Sequence, residues 1–225
     1  MYPRFIFFIS LFFLHCCSYA QSNRTSMDRS LFTLTAGLNT NDAYALEFSY
    51  HYMLFHYLGI GSGIGYFKQW YNEYFPNGKT DGKWNSWTLS ESDRKIEKLY
   101  LRPSVLLSSP PLFKVGKYKF LLKGEFGVQL LSPHTGIYVD YVNSNTYDSK
   151  LKYESTNKGD WCFWNVKGSV GLRAYSSVLS LGYGISNLDI YSSRRFIKVE
   201  NTLLSEFYPN RKLTYTLFIS LSYSF

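Results

Sequence analysis

The segment Leu213–Phe225 alternates without interruption. Leu213, Tyr215, Leu217, Ile219, Leu221, Tyr223 and Phe225 fall on one face; Thr214, Thr216, Phe218, Ser220, Ser222 and Ser224 fall on the other. A period of two marks a β-strand, because successive side chains of an extended chain point to opposite faces. Thirteen residues are long for a soluble strand. They suit a tilted membrane strand, which needs about 9–11 residues plus overhang.

The same pattern recurs seven times upstream. Residues 31–38 set Phe32, Leu34, Ala36 and Leu38 against Thr33, Thr35 and Gly37. Residues 43–53 set Tyr44, Leu46, Phe48, Tyr50 and Tyr52 against Ala45, Glu47, Ser49 and His51. Segments 57–69, 98–107, 118–131, 161–174 and 178–188 follow the same rule. Eight strands result, and their charged residues fall largely on the faces that carry glycine and serine. A soluble barrel requires the opposite polarity, with its apolar face inward.

The spacing between strands adds direction. The first, third, fifth and seventh gaps are 39–42, 72–97, 132–160 and 192–212; the gaps between them lie near 54–56, 108–117 and 175–177. Long connections alternate with short ones, apart from the first. A membrane barrel with short periplasmic turns and long external loops predicts this arrangement. The reading is therefore all-β: an antiparallel up-and-down transmembrane β-barrel of eight strands, or ten if a hairpin at 136–154 enters the membrane.

Residues 1–20 read as an export signal. Arg4 precedes the apolar run Phe5–Leu14, and Ser18-Tyr19-Ala20 forms a small-x-small cleavage site before Gln21. The apolar run is too short to span a bilayer as a helix, and Leu14-His15 ahead of Cys16 is a poor lipidation sequence. Cleavage removes Cys16 and Cys17 and leaves Cys162, which excludes an internal disulfide and a cysteine-ligated zinc site. Removal of Arg4 leaves 23 cations against 16 carboxylates, a net charge of +7. In an exported chain that excess favours contact with an anionic envelope surface over nucleic acid. A mean hydropathy of -0.19 argues against a bundle of membrane helices.

These features together resemble the small outer-membrane β-barrels of Gram-negative envelopes, of the OmpA and OmpX kind. The resemblance rests on the leader, the aromatic strand ends and a final strand closing on Phe225, and it covers the whole mature chain, residues 21–225. It implies location in the outer membrane, contact with outer-membrane lipid and lipopolysaccharide, and recognition of Tyr223 and Phe225 by the barrel-assembly machinery. More loosely, Tyr100-Leu-Arg-Pro-Ser-Val-Leu-Leu107 is similar to a strand of Bacteroidota barrels, including PorT-type ones. Pro103 cannot donate to a ladder, so a bulge or a rim position is expected there.

Strand parity turns Glu47, His51, Arg102, Lys123, Glu125, Lys167 and Arg173 inward, with Gln129. An eight-stranded barrel is just wide enough to be filled by side chains, and buried charges must pair. An ion-pair network plugging the lumen is expected, with a narrow ion path as the rival. His51 and Glu47, four apart on one face, also have the makings of a base and its orienting carboxylate. Lipid A deacylase barrels carry a His/Ser pair near the C-terminus, whereas this chain has no histidine after His134, so enzymatic activity is not expected. Gly59-Ile-Gly-Ser-Gly-Ile-Gly65 has the wrong spacing for a phosphate loop. Period two places its four glycines on the inner wall, opposite bulky residues such as Tyr100 and Arg102. No zinc or calcium spacing occurs, and no cofactor or metal is expected.

The long loops are the remaining candidates for function. Trp84 and Trp87 could stack on sugars or a protein partner. Tyr138 and Tyr141 lie in a hairpin that could accept a partner strand along its edge. Arg194 and Arg195 could meet lipopolysaccharide phosphates. The expected function is that of an envelope structural or surface-binding, adhesion-type protein with a filled lumen. The alternatives are a narrow transport pore, an accessory barrel of a secretion machine and, last, a lipid A-modifying enzyme.

Overall fold

A computed structural model describes residues 29–225 apart from 81, 82 and 144. The expected leader lies outside the described residues. The strands are β1 Ser30–Asn39, β2 Ala43–Phe55, β3 Leu58–Gln69, β4 Asn77–Lys79, β5 Ser86–Leu89, β6 Glu97–Ser108, β7 Phe113–Val115, β8 Tyr118–Leu131, β9 Thr135–Val142, β10 Ser149–Thr156, β11 Cys162–Ala174, β12 Ser177–Ser186, β13 Lys198–Val199, β14 Thr202–Leu203 and β15 Thr214–Ser224.

Eight of these close into one antiparallel barrel in the order β1-β2-β3-β6-β8-β11-β12-β15, and β15 returns to β1. Each barrel strand pairs with the next barrel strand in the chain, so the topology is up-and-down. At the seam Leu31 faces Ser224 and Asn39 faces Thr216. Closure removes the unpaired edges that a lipid phase would not tolerate.

The outer wall is apolar. Leu34, Phe48, Ile64, Leu99, Phe126, Val170, Leu181, Leu217 and Leu221 are all exposed, each at about half of its surface or more. An apolar surface that runs around a whole molecule is far larger than the patches of water-soluble monomers. Aromatic residues bracket it. Tyr44 lies beside Tyr66 and Tyr183 beside Tyr215 near the loop end, with Trp161 and Trp164; Phe32, Tyr50, Tyr223 and Phe225 cluster near the turn end. Such rings mark the two interfaces of a membrane barrel.

The eight strands read from the sequence are the ones that close the barrel, the ten-strand alternative falls away, and the expectation for Pro103 is corrected. The 136–154 hairpin does not enter the barrel. It forms β9–β10, which joins β4–β5 in a separate four-stranded sheet ordered β10-β9-β5-β4. The barrel therefore has eight strands, not ten. Pro103 sits neither in a bulge nor at a rim. Tyr100 to Ser108 keep one register against Leu131 to Lys123, and only the rungs at Arg102 and Pro103 are missing. A proline removes one donor without needing an extra residue, so pairing lapses while register persists.

Candidate functional site

The lumen is filled by a charged network on β2, β6, β8 and β11. Arg102 is its centre and is fully buried. Its Nε and Nη2 donate to Oε2 and Oε1 of Glu47 at 2.8 and 2.7 Å, and Nη2 also donates to Glu125. Lys167 Nζ donates to Glu47 Oε1 at 3.0 Å, and Tyr100 donates to Glu47 Oε2 at 3.0 Å. Ser104 donates to Glu125 at 3.0 Å. Two cations thus meet two carboxylates, and the planar Arg102 fork satisfies the geometry of bidentate pairing.

Local sequence explains how this fits. Gly65 faces the Tyr100 ring so closely that a Cβ there would lie 2.1 Å from Tyr100 Cζ. The inner wall of β3 carries no side chains where Tyr100 and His51 cross the lumen, which is the role expected of its glycines.

The structure brings Glu47, His51, Arg102, Glu125 and Lys167 together. Lys123 and Arg173 lie nearer the turn end, where Lys123 donates to Ser222 Oγ at 2.9 Å and Arg173 donates to the Tyr175 carbonyl at 3.1 Å. Tyr100 and Ser104 join the network although sequence reading gave neither a polar role there; their inward parity was the available signal.

His51 does not use Glu47. Four residues along a strand span about 13 Å, and a neighbour across the lumen is closer. Nε2 of His51 stands 2.9 Å from Ser104 Oγ and 3.3 Å from Glu125 Oε1, while its Nδ1 is buried without a partner. A nucleophile triad needs one ring nitrogen on the hydroxyl and the other on the carboxylate. Here a single nitrogen faces both.

Above the network the barrel mouth is closed by an apolar core. Phe67, Tyr100, Leu131 and Phe163 from the barrel pack with Trp87, Leu89 and Ile96, with Ile137, Val139 and Tyr141, and with Leu188, Ile190, Tyr191, Ile197, Val199, Leu204 and Tyr208. Three long loops therefore share one core with the barrel rim. Among the described residues, small cavities of about 30 and 20 Å³ lie above and below the ion pairs. Buried polar groups tie the loops further. Gln69 donates to Tyr191 Oη at 2.9 Å, and burial pushes the Tyr191 hydroxyl up to about 12.

The loop candidates divide accordingly. Trp87, Tyr141 and Arg194 are buried and do not face outward. Alternation in β5 and β9 turns Trp87, Leu89, Ile137, Val139 and Tyr141 into the cap core. Arg194 donates to the carbonyls of Asp93 and Lys95 at 2.5 and 3.2 Å. Arg195 pairs with Asp189 at 2.6 Å, and Trp84 packs partly buried against the core. These two arginines are used within the cap and do not form an open phosphate site. Tyr138 is exposed, and its ring lies 5.1 Å from that of its cross-strand partner Tyr153 in a tilted arrangement. Tyr223 and Phe225 are exposed on the outer wall, where Phe225 stacks on Phe32 at 5.5 Å.

No family model matches the chain, and no curated protein matches it in sequence. Among solved structures it is similar to Neisserial surface protein A, at 9% identity over 87% of this chain and 96% of that one, with a TM-score of 0.41. It is similar to the N-terminal β-barrel domain of Pseudomonas aeruginosa OprF, at 6% identity over 89% and 100%, with a TM-score of 0.42. It is also similar to Ail, the attachment invasion locus protein of Yersinia pestis, at 9% identity over 88% and 100%, with a TM-score of 0.38. By its own closure, strand number and the polarity of its two faces, the chain has the fold of a small outer-membrane β-barrel.

Proposed function

We propose that this protein is a sealed outer-membrane barrel that holds a folded loop platform at the cell surface for binding. The observation that carries the reading is the shared apolar core of loops and barrel mouth. Loops that gate a pore need room to move, whereas these are packed with Phe67, Tyr100 and Phe163 of the barrel. The ion-pair plug beneath them closes the lumen a second time.

The platform offers two features to a partner. Its outer face carries Tyr138, Leu151 and Tyr153 in the open. Its β10 edge runs for eight residues with no further strand beside it among the described residues. An open edge offers backbone donors and acceptors for strand addition, and exposed tyrosines supply stacking area at low entropic cost.

The test has two arms. Planar-bilayer recording of the refolded chain is expected to stay silent. A non-adherent host displaying the chain is expected to attach to polysaccharide- or protein-coated surfaces, and Tyr138→Ser with Tyr153→Ser is expected to reduce that attachment. Discrete conductance steps from the intact chain, with no attachment to any coat, would transfer the reading to transport.

A further inference from the structure

The turn end of the barrel is built unlike the loop end. A cavity of about 530 Å³ opens there, lined in part by Lys114, Lys117, Lys119, Lys123, Arg173 and His56. Its volume falls within the range of about 300–1,000 Å³ usual for small-molecule sites.

The strand register concentrates the charge. Lys114 is the cross-strand partner of Lys119 in β7–β8, and Lys119 is the partner of Arg173 in β8–β11. Three cationic residues therefore stand side by side on one rung. The neighbouring pair Phe113 and Phe120 stacks at 4.3 Å and is the lipid-side counterpart, so alternation turns the cations toward the cavity. Lys123 lies four residues further along the same face of β8, and Lys117 sits in the turn made by Gly116 at φ 60°. Like charges directly opposite each other destabilise a sheet. None of the described residues lining the cavity is a carboxylate. The lumen carboxylates Glu47 and Glu125 are engaged, Glu47 by Arg102 and Lys167, Glu125 by Arg102 and His51.

A second observation is independent of charge. Nε2 of His56, at the wall of the same cavity, is shielded from solvent and has no hydrogen-bond partner. Buried polar atoms are rarely left unpaired without a reason.

We propose that this vestibule is a binding site for a phosphate-class oxyanion, held by Lys114, Lys117, Lys119 and Lys123, with His56 at its wall. Lysines bind phosphate as mobile point charges and need no fixed fork. The anion offsets the repulsion between the paired Lys114 and Lys119. It can come as the headgroup of a phospholipid in the adjacent leaflet or as a soluble phosphate compound.

The experiment uses the full chain refolded in zwitterionic detergent and titrated with inorganic pyrophosphate by calorimetry. A parallel arm follows thermal unfolding in phosphatidylcholine nanodiscs with and without phosphatidylglycerol. Pyrophosphate or phosphatidylglycerol is expected to raise Tm. The Lys114→Gln/Lys119→Gln variant is expected to weaken binding about tenfold or more, the scale of a lost charge-assisted contact. Without anion the same variant is expected to melt higher than the unaltered chain, because the repulsion is gone. Lys117→Gln, in the exposed turn, should give a smaller loss. A response to pyrophosphate assigns the soluble source, and a response to phosphatidylglycerol alone assigns the lipid headgroup. No response to either probe, or one that survives the double substitution unchanged, overturns the proposal.

Discussion

Arg102 and Glu47, on β6 and β2, form a two-point ion pair at 2.8 and 2.7 Å inside the barrel, across β3. Both are buried, so neither recovers hydration if its partner is removed. Breaking a buried pair by deleting one partner costs about 3–5 kcal/mol, mostly from the charge left behind. Arg102→Met is therefore expected to destabilise the refolded barrel by roughly that amount in urea unfolding. Adding Glu47→Leu should recover part of the loss. A shift below about 1 kcal/mol for the single variant would remove the structural role of the pair.

Gly65 is fixed by Tyr100. A Cβ at position 65 would overlap the Tyr100 ring, whose Cζ is 2.1 Å away, and the ring is held by its hydrogen bond to Glu47. Gly65→Ala is expected to cost about 1–3 kcal/mol by overpacking. Tyr100→Val should relieve the clash, so the double variant should lose less from the alanine than the unaltered chain does. Equal losses in both backgrounds would exclude the clash as the cause.

The cap should be sensitive to alkali. Burial raises the Tyr191 hydroxyl from its ordinary value of 10.0 to about 12. A group raised on folding gives stability that is complete below its unfolded value and is lost as pH climbs through the folded one. The cap should therefore loosen between about pH 10 and 12 while the barrel ladder persists. Limited proteolysis of the loops across that range is the measurement. Tyr191→Phe should flatten this pH dependence, and an unchanged profile would assign it to another group.

Phe225 has two separable roles. Its backbone exchanges hydrogen bonds with Ser30 at 3.1 Å each way, and its ring stacks on Phe32. Phe225→Ala keeps the backbone bonds and removes the ring. Refolding into detergent should lose little, whereas the heat-modifiable barrel recovered from cells should fall clearly if assembly reads the aromatic. Equal recovery in cells would leave the ring as packing alone.

The eight barrel strands were legible because membrane strands carry a period of two over many residues. Their observed limits fall within one or two positions of the sequence reading at most ends; Tyr118–Leu131 coincides at both. Inward parity was legible for the same reason, and it located Glu47, His51, Arg102, Glu125 and Lys167. Parity says which face a residue takes but not which residue it meets across the lumen. His51 facing Glu125 rather than Glu47 is a consequence of barrel closure and shear.

The loops were less legible. Trp84, Trp87, Tyr141, Arg194 and Arg195 read as surface-binding residues because loop residues are commonly exposed. Instead, β4–β5 and β9–β10, from two loops separated in sequence, form one sheet, and the third loop packs with them. That burial depends on contacts between segments more than fifty residues apart, which local periodicity does not record.

The sequence by itself determined the strand number, the apolar exterior and the alternation of long loops with short turns. Each follows from the local rule that an extended chain presents successive side chains to opposite sides. The tertiary structure decided the partners within the ion-pair network, the packing of the loops on the barrel rim and the cationic rung of Lys114, Lys119 and Arg173. Each depends on register between strands, which is fixed only when the sheet closes and brings distant side chains to one height.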